Sequence, residues 1–176
     1  MSMAITHVLA YPFPSSGHAQ VQAQPTPSST IIYDFFLGWT HLLARDLHVS
    51  RFVFSPFGTF ALSVSYSLWR DLPKNNNPKD PKSVVFFQNL PNSPIYPWWQ
   101  ITHLFRDTER GGSEWEFDRE NMLFNIDSWG FVFNTFIELE RVYLNHIKIE
   151  LGHERVWAVG PVLPIQKGSI STKPEK

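Results

Sequence analysis

Short apolar runs, each cut off by proline, glycine or a polar cluster, alternate along this chain with stretches of helical period. That alternation decides its fold class. The runs are Thr6–Tyr11, ended by Pro12 and Pro14, then Thr30–Tyr33, Arg51–Ser55, Ser83–Phe87, Gly130–Phe136 and Arg155–Gly160. Between them the pattern predicts helices over Gly38–Leu47, Phe60–Trp69, Gln100–Arg106, Glu114–Ile126 and Ile137–Leu151, the last stopped by Gly152. Leu42, Leu43 and Leu47 are the expected inner face of the first helix. Leu139, Val142, Tyr143, His146 and Ile147 recur at helical spacing in the last. Strands alternating with helices predict an α/β fold on a mostly parallel sheet. Residues 19–30 and 71–82 are polar and proline-bearing and read as loops, Pro94–Trp99 reads as irregular, and the tail from Gln166 reads as polar and without order.

A chain of 176 residues fits one domain. Its 43% hydrophobic and 15% aromatic content suffices for a core and for lining a pocket that takes a flat ligand. The net charge of −1, without a basic stripe, argues against nucleic acid as a partner. There is no cysteine, which excludes disulfides, zinc-thiolate sites and a cysteine nucleophile. The first residues have no basic or long apolar character, and no apolar run is long enough to span a bilayer. A cytoplasmic protein is expected. No Gly-x-Gly-x-x-Gly and no phosphate-binding P-loop occurs.

Two motifs carry chemistry. Tyr11-Pro-Phe-Pro-Ser-Ser-Gly-His18 places a histidine after the first apolar run, and Ile31-Ile-Tyr-Asp-Phe-Phe-Leu-Gly-Trp-Thr40 places a carboxylate, Asp34, after the second. Ligands of open parallel sheets gather at the carboxyl ends of strands. A histidine and an aspartate delivered there form a base and its orienting partner. The plainer alternatives are a loop histidine without a role and an Asp34 that caps the following helix. His41 and His48, like His146 and His153, stand seven apart, which is not the spacing of a helical metal site, so no metal is expected. Glu138 and Glu140 read as the acidic first turn of their own helix.

At these residues the chain resembles the plant UDP-sugar-dependent glycosyltransferases of the GT-B fold. The likeness runs through His7–His18, Ile31–Trp69, Tyr96-Pro-Trp-Trp-Gln100, Asn125-Ile-Asp-Ser-Trp-Gly130, Asn134–Glu140 and Arg155-Val-Trp-Ala-Val-Gly-Pro161. The subgroup it is most similar to acts on flavonols and small phenolic acids. The resemblance implies an incomplete Rossmann-like, amino-terminal acceptor-binding domain. It implies His18 as catalytic base and Asp34 as its partner. Ser16 and Gly17 fall beside the donor, and Trp98 and Trp99 on the acceptor side. Pro56 stands where relatives often carry a sugar-contacting threonine. A UDP-sugar is the implied co-substrate and a small phenolic the acceptor, with no further cofactor.

The sequence departs from that family in two ways. Only fifteen residues, 19–33, separate His18 from Asp34, where relatives have a long segment with two further strands. The donor-domain signatures (Trp-Ala-Pro-Gln, His-Cys-Gly-Trp-Asn-Ser, Asp-Gln) do not occur. Residues 1–165 therefore read as a partial amino-terminal domain with a deletion after about residues 18–24, and 166–176 as the start of an interdomain linker. The eleven residues 19–29 reach roughly 36 Å when extended, against about 17 Å for a five-residue strand, so a return to the start of the next parallel strand is feasible. The expected cost is an uncovered sheet face. The chain alone is expected to be inactive, and a non-catalytic module that binds aromatic molecules or a partner chain is the alternative.

Overall fold

The computed structural model describes residues 8–11, 30–75, 77, 80 and 82–160, the first of these segments as backbone only. In chain order they form β1 (Val8–Tyr11), β2 (Thr30–Asp34), α1 (Thr40–Leu47), β3 (Ser50–Ser55), α2 (Thr59–Asp71), β4 (Val84–Phe86), β5 (Ile95–Pro97), α3 (His103–Arg106), α4 (Ser113–Phe124), β6 (Gly130–Phe133), α5 (Ile137–Leu151) and β7 (Val156–Ala158). The predicted α/β class holds, and the main sheet, ordered β1-β2-β3-β6-β7, is parallel at every pairing.

Strand order in this sheet follows chain order, so the chain moves across it in one direction. Right-handed crossovers then send the connecting helices to one face. Side-chain burial reflects this. Ile31, Tyr33, Arg51, Val53, Ser55, Phe131, Phe133 and Val156 are buried, while their alternates Ile32, Phe52, Phe54 and Val132 are only partly covered and Trp157 is 41% exposed. The buried set meets the helices: Tyr66 of α2 stands edge-on to Phe131 at 6.2 Å, and Arg51 donates to the Phe124 carbonyl at the end of α4. On the other face Phe52 contacts Trp129 and Trp157, whose indoles stack at 6.2 Å. Parallel sheets ordinarily bury both faces. Here Trp129 and Trp157 keep a large part of their surface exposed.

The structure corrects three expectations. In α1 the buried residues are Thr40 and Ala44, whereas Leu42 and Leu47 are 45% and 54% exposed, so only Leu43 of the expected inner face packs on the core. The turn before α1 is held close to α4 at Gly38 and Asn121, and α1 leaves it with Thr40 and Ala44 facing inward. In α5 the buried residues are Leu144 and Ile147, and Leu139 and Val142 are exposed. Glu140 has non-helical dihedrals (φ −130°, ψ 26°), so the first turn is rotated out of phase with the rest. Finally, Pro94–Trp99 is not wholly irregular: Ile95–Pro97 pairs antiparallel with Val84–Phe86 as a small hairpin outside the main sheet. Three-residue strands are too short to show a period.

Candidate functional site

The chain turns after β2 through residues fixed by several independent bonds. Asp34 ends the strand and caps a 3-10 turn over Phe35–Leu37, its Oδ1 accepting the Phe36 N–H at 3.0 Å. The Phe35 carbonyl accepts Asn125 Nδ2 at 2.6 Å, and Asn125 Oδ1 accepts the Tyr33 hydroxyl at 3.0 Å. Asn125 is fully buried, so both amide ends are satisfied inside the core. The Trp39 N–H donates to Asn121 Oδ1 at 2.8 Å, and Gly38 gives its carbonyl to Arg51 Nη1 at 3.0 Å. A Cβ on Gly38 would lie 1.8 Å from the Asn121 carbonyl oxygen, so only glycine permits this approach of the turn to α4. Thr40 closes the turn by donating its hydroxyl to the Leu37 carbonyl at 2.7 Å.

This turn fixes the position of Asp34. The carboxylate is half-buried, and burial raises its pKa against the lowering effect of the Phe36 N–H. Its Oδ2 makes no hydrogen bond among the described residues. Asp34 therefore caps, but not the Gly38–Leu47 helix of the plainer alternative: it caps the 3-10 turn, whereas α1 begins after Trp39 with no side-chain cap, and the bond occupies one oxygen.

The neighbouring strand ends at the same level. β1 and β2 pair in register from Val8↔Thr30 to Tyr11↔Tyr33, so the chain leaving Tyr11 toward His18 departs one position before Asp34. Ser16, Gly17 and His18 lie outside the described residues. Trp98 and Trp99 belong to the 3-10 turn Trp98–Gln100 after β5. Trp98 packs on the core and lines a groove of about 330 Å³ with Phe105 and Trp115, while Trp99 is 60% exposed. Among the described residues no hydrogen bond or ring contact joins either tryptophan to Asp34.

The sheet's carboxyl end carries a second tie. After β3 the chain passes Gly58 into α2, and the first turn of α2 is capped from α5. Glu140 Oε2 accepts the Thr59 N–H at 2.7 Å and the Thr59 hydroxyl at 3.2 Å, and Oε1 accepts the Phe60 N–H at 3.2 Å. Glu140 thus stands in the acidic first turn of α5, as the sequence reading has it, and in addition caps α2, which that reading did not foresee. A Cβ on Gly58 would fall 2.2 Å from Glu140 Oε2, so glycine leaves the carboxylate its place. Farther along, Arg70 of α2 pairs with Glu150 of α5 at 2.6 Å. The Glu140 bonds thus tie α2 to α5 at their first turns, and the Arg70–Glu150 pair ties them at their last. Asn121, Asn125 and Glu140 were not legible as scaffold residues, because each acts over some eighty residues of chain.

Comparison with known proteins decides the lineage. No family model matches. The chain is 51% identical over 141 residues to UDP-glycosyltransferase 89B2 of Stevia rebaudiana, covering 80% of this chain and 30% of that protein. It is 41% identical over 145 residues to the flavonol 3-O-glucosyltransferase UGT89B1 of Arabidopsis thaliana, covering 82% of this chain and 30% of that one.

The chain belongs to the plant UDP-glycosyltransferases.

It spans about 30% of the length of the curated relatives it matches. The fold agrees. A UDP-glycosyltransferase from Siraitia grosvenorii, solved in complex with UDP, superposes with a TM-score of 0.64 at 18% identity over 84% of this chain and 34% of that one. The structure of Phytolacca americana UGT2 with UDP-2-fluoro-glucose and pterostilbene gives 0.61 at 18% identity, over 78% of this chain and 31% of that one. Among the described residues no helix is long and apolar enough to cross a membrane.

Proposed function

We propose that this chain is the base-carrying, acceptor-binding part of a cytosolic transferase that moves a sugar from a UDP-sugar to a hydroxyl of a small phenolic such as a flavonol. The observation that carries the reading is the parallel, in-register pairing of β1 with β2, whose ends stand side by side with Asp34 fixed at one of them. The seven residues from Tyr11 to His18 reach at most about 24 Å, ample for the histidine to fold back onto the carboxylate. The names of the relatives, a flavonol 3-O-glucosyltransferase among them, support the substrate class.

In this scheme a ring nitrogen of His18 takes the proton of the acceptor hydroxyl as its oxygen attacks the anomeric carbon. UDP leaves from the opposite face and the configuration inverts. Asp34 Oδ2 receives the other ring N–H, fixes the tautomer and stabilises the imidazolium. Half-burial makes that carboxylate better served by a cationic neighbour than by water. Ser16 and Gly17 would stand beside the donor. The exposed Trp99 and the Trp98 groove would meet the acceptor side, as would an apolar cavity of about 250 Å³ between α2 and the hairpin, lined by Phe60, Val64 and Tyr96. We read residues 1–165 as an internally shortened amino-terminal domain, and 166–176 as the start of an interdomain linker.

Two measurements test this. The imidazole of His18, followed by NMR titration, is expected to hold its proton to a higher pH in the native chain than in Asp34→Asn; identical titrations would rule out the pair. Incubation with UDP-glucose and a flavonol, read by mass spectrometry, is expected to give negligible product from this chain alone. Product whose formation is lost in His18→Ala would establish transfer without the second domain.

A further inference from the structure

A cavity lies at the opposite end of the sheet, where strands begin. It is a groove of about 580 Å³ between α1 and the segments that lead into β3, β6 and β7. Arg45, Arg51, Arg155, His41 and His48 line it, with Asp127 as the single carboxylate among the lining residues. The whole chain has a net charge of −1, so this concentration of guanidinium groups does not follow from a basic composition.

The cations here lack strong acidic partners. Arg51 is 4% exposed, yet among the described residues no carboxylate lies within ion-pair distance of it. Its bonds go to the carbonyls of Gly38 and Phe124 and to His41 Nδ1 at 3.4 Å, and its guanidinium sits 4.9 Å above the Tyr33 ring. These acceptors are neutral, and the Asp127 carboxylate, which favours the charged guanidinium, acts on it from beyond ion-pair distance. Arg155 is held by the Trp129 carbonyl and lies 4.9 Å over the Trp129 ring, again with no carboxylate. Arg45 touches only Asp46, at 3.5 Å, and both are well exposed, so that pair is easily exchanged.

His41 completes the wall. An arginine only donates, so the Nδ1 that faces Arg51 is the acceptor and Nε2 carries the hydrogen. The ring lies flat on Phe124 at 5.1 Å, which fixes its plane. The groove thus offers guanidinium forks from both sides and a neutral N–H donor, and it contains no lysine. Forked donors converging from different directions suit an anion with several oxygens in a tetrahedral array, which pairs with guanidinium in bidentate fashion.

We propose that this groove is an anion site for a phosphate group, as inorganic phosphate or pyrophosphate or as the phosphoryl end of a small metabolite. It is separate from the Asp34 end of the sheet and does not depend on the transferase reading.

The test uses the full 176-residue chain and pyrophosphate as probe, with sodium chloride matched for ionic strength. Trp129 beneath Arg155 supplies the fluorescence signal. A saturable change with pyrophosphate and none with chloride is expected. Arg45→Ala and Arg155→Ala should each weaken the apparent affinity about tenfold, the loss of one charge-assisted contact. Arg141→Ala, an exposed arginine of α5 outside the groove, should not weaken it. A second readout is the melting temperature, expected to rise with pyrophosphate in the native chain and not in the Arg45/Arg155 double variant. No saturable response, or equal responses in native and double-variant chains, would overturn the proposal.

Discussion

Glu140 of α5 accepts the backbone N–H of Thr59 at 2.7 Å, so the first turn of α2 is capped by a residue eighty-one positions away. The carboxylate meets two N–H groups and a hydroxyl, where a helix would otherwise leave donors unpaired. Glu140→Ala is expected to cost about 1–2 kcal/mol, the usual loss of an N-cap. Gly58→Ala displaces the same carboxylate and should cost a similar amount, about 1–2 kcal/mol. Urea denaturation of both variants and of the double variant checks the idea. The double should be little worse than either single, because each removes the same contact. Simple additivity would show that Gly58 and Glu140 act apart.

A second expectation concerns Asn125. It bridges the Tyr33 hydroxyl and the Phe35 carbonyl inside the core. Asn125→Ala strands both groups and is expected to cost about 2–4 kcal/mol, more than Tyr33→Phe at about 1–2 kcal/mol. Equilibrium unfolding gives both values. Equal costs would mean that the Phe35 bond contributes nothing.

Asp34 separates a structural role from a chemical one. Asparagine caps as well as aspartate, so Asp34→Asn should leave stability within about 0.5 kcal/mol, while Asp34→Ala should cost about 1 kcal/mol. The sign with pH follows from burial. The folded carboxyl has a raised pKa, so ionising it as pH climbs from the unfolded value through the folded one lowers stability. Asp34→Asn removes that decline. Melting temperatures of the native chain and Asp34→Asn across the acidic range test it, and parallel curves would contradict it.

His41 has the opposite dependence. Burial first, then the Arg51 charge, lowers its pKa below the ordinary imidazole value of 6.5, with Asp127 opposing. Above 6.5 it is neutral in both states and contributes nothing. As pH falls from 6.5 through the folded value, the unfolded chain gains a proton that the folded chain resists, and stability drops. His41→Gln should flatten that part of the curve in thermal melts followed by circular dichroism.

Much of the fold was legible because parallel sheets write themselves as apolar runs between helical segments. Val53 and Phe131 sit where such runs predict, and α5 has the expected limits. What stayed hidden was contact at a distance. The alternation of Leu42 and Leu47 promised burial, but the intimacy of Gly38 with Asn121 turned α1 so that Thr40 and Ala44 face inward. Leu139 lost its expected place at the Glu140 kink, whose carboxylate caps α2, and Val142 lies off the buried Leu144–Ile147 face. Of the candidate site, Asp34 was readable from its position after an apolar run, but the 3-10 turn that it caps was not, and the cap expected for the Gly38–Leu47 helix is absent. The asparagines that fix its turn carry no local signal, since an amide on a helix looks the same whether it bonds a distant carbonyl or water.

The planes of the two indoles on the sparsely covered sheet face, Trp129 and Trp157, are nearly parallel, 18° apart. Aromatic transitions held so close exchange excitation, and the pair should split its ultraviolet circular dichroism into bands of opposite sign. Trp157 belongs to the last strand and Trp129 immediately precedes β6. The molecule therefore carries its own optical gauge of whether that final strand is docked, readable without any label.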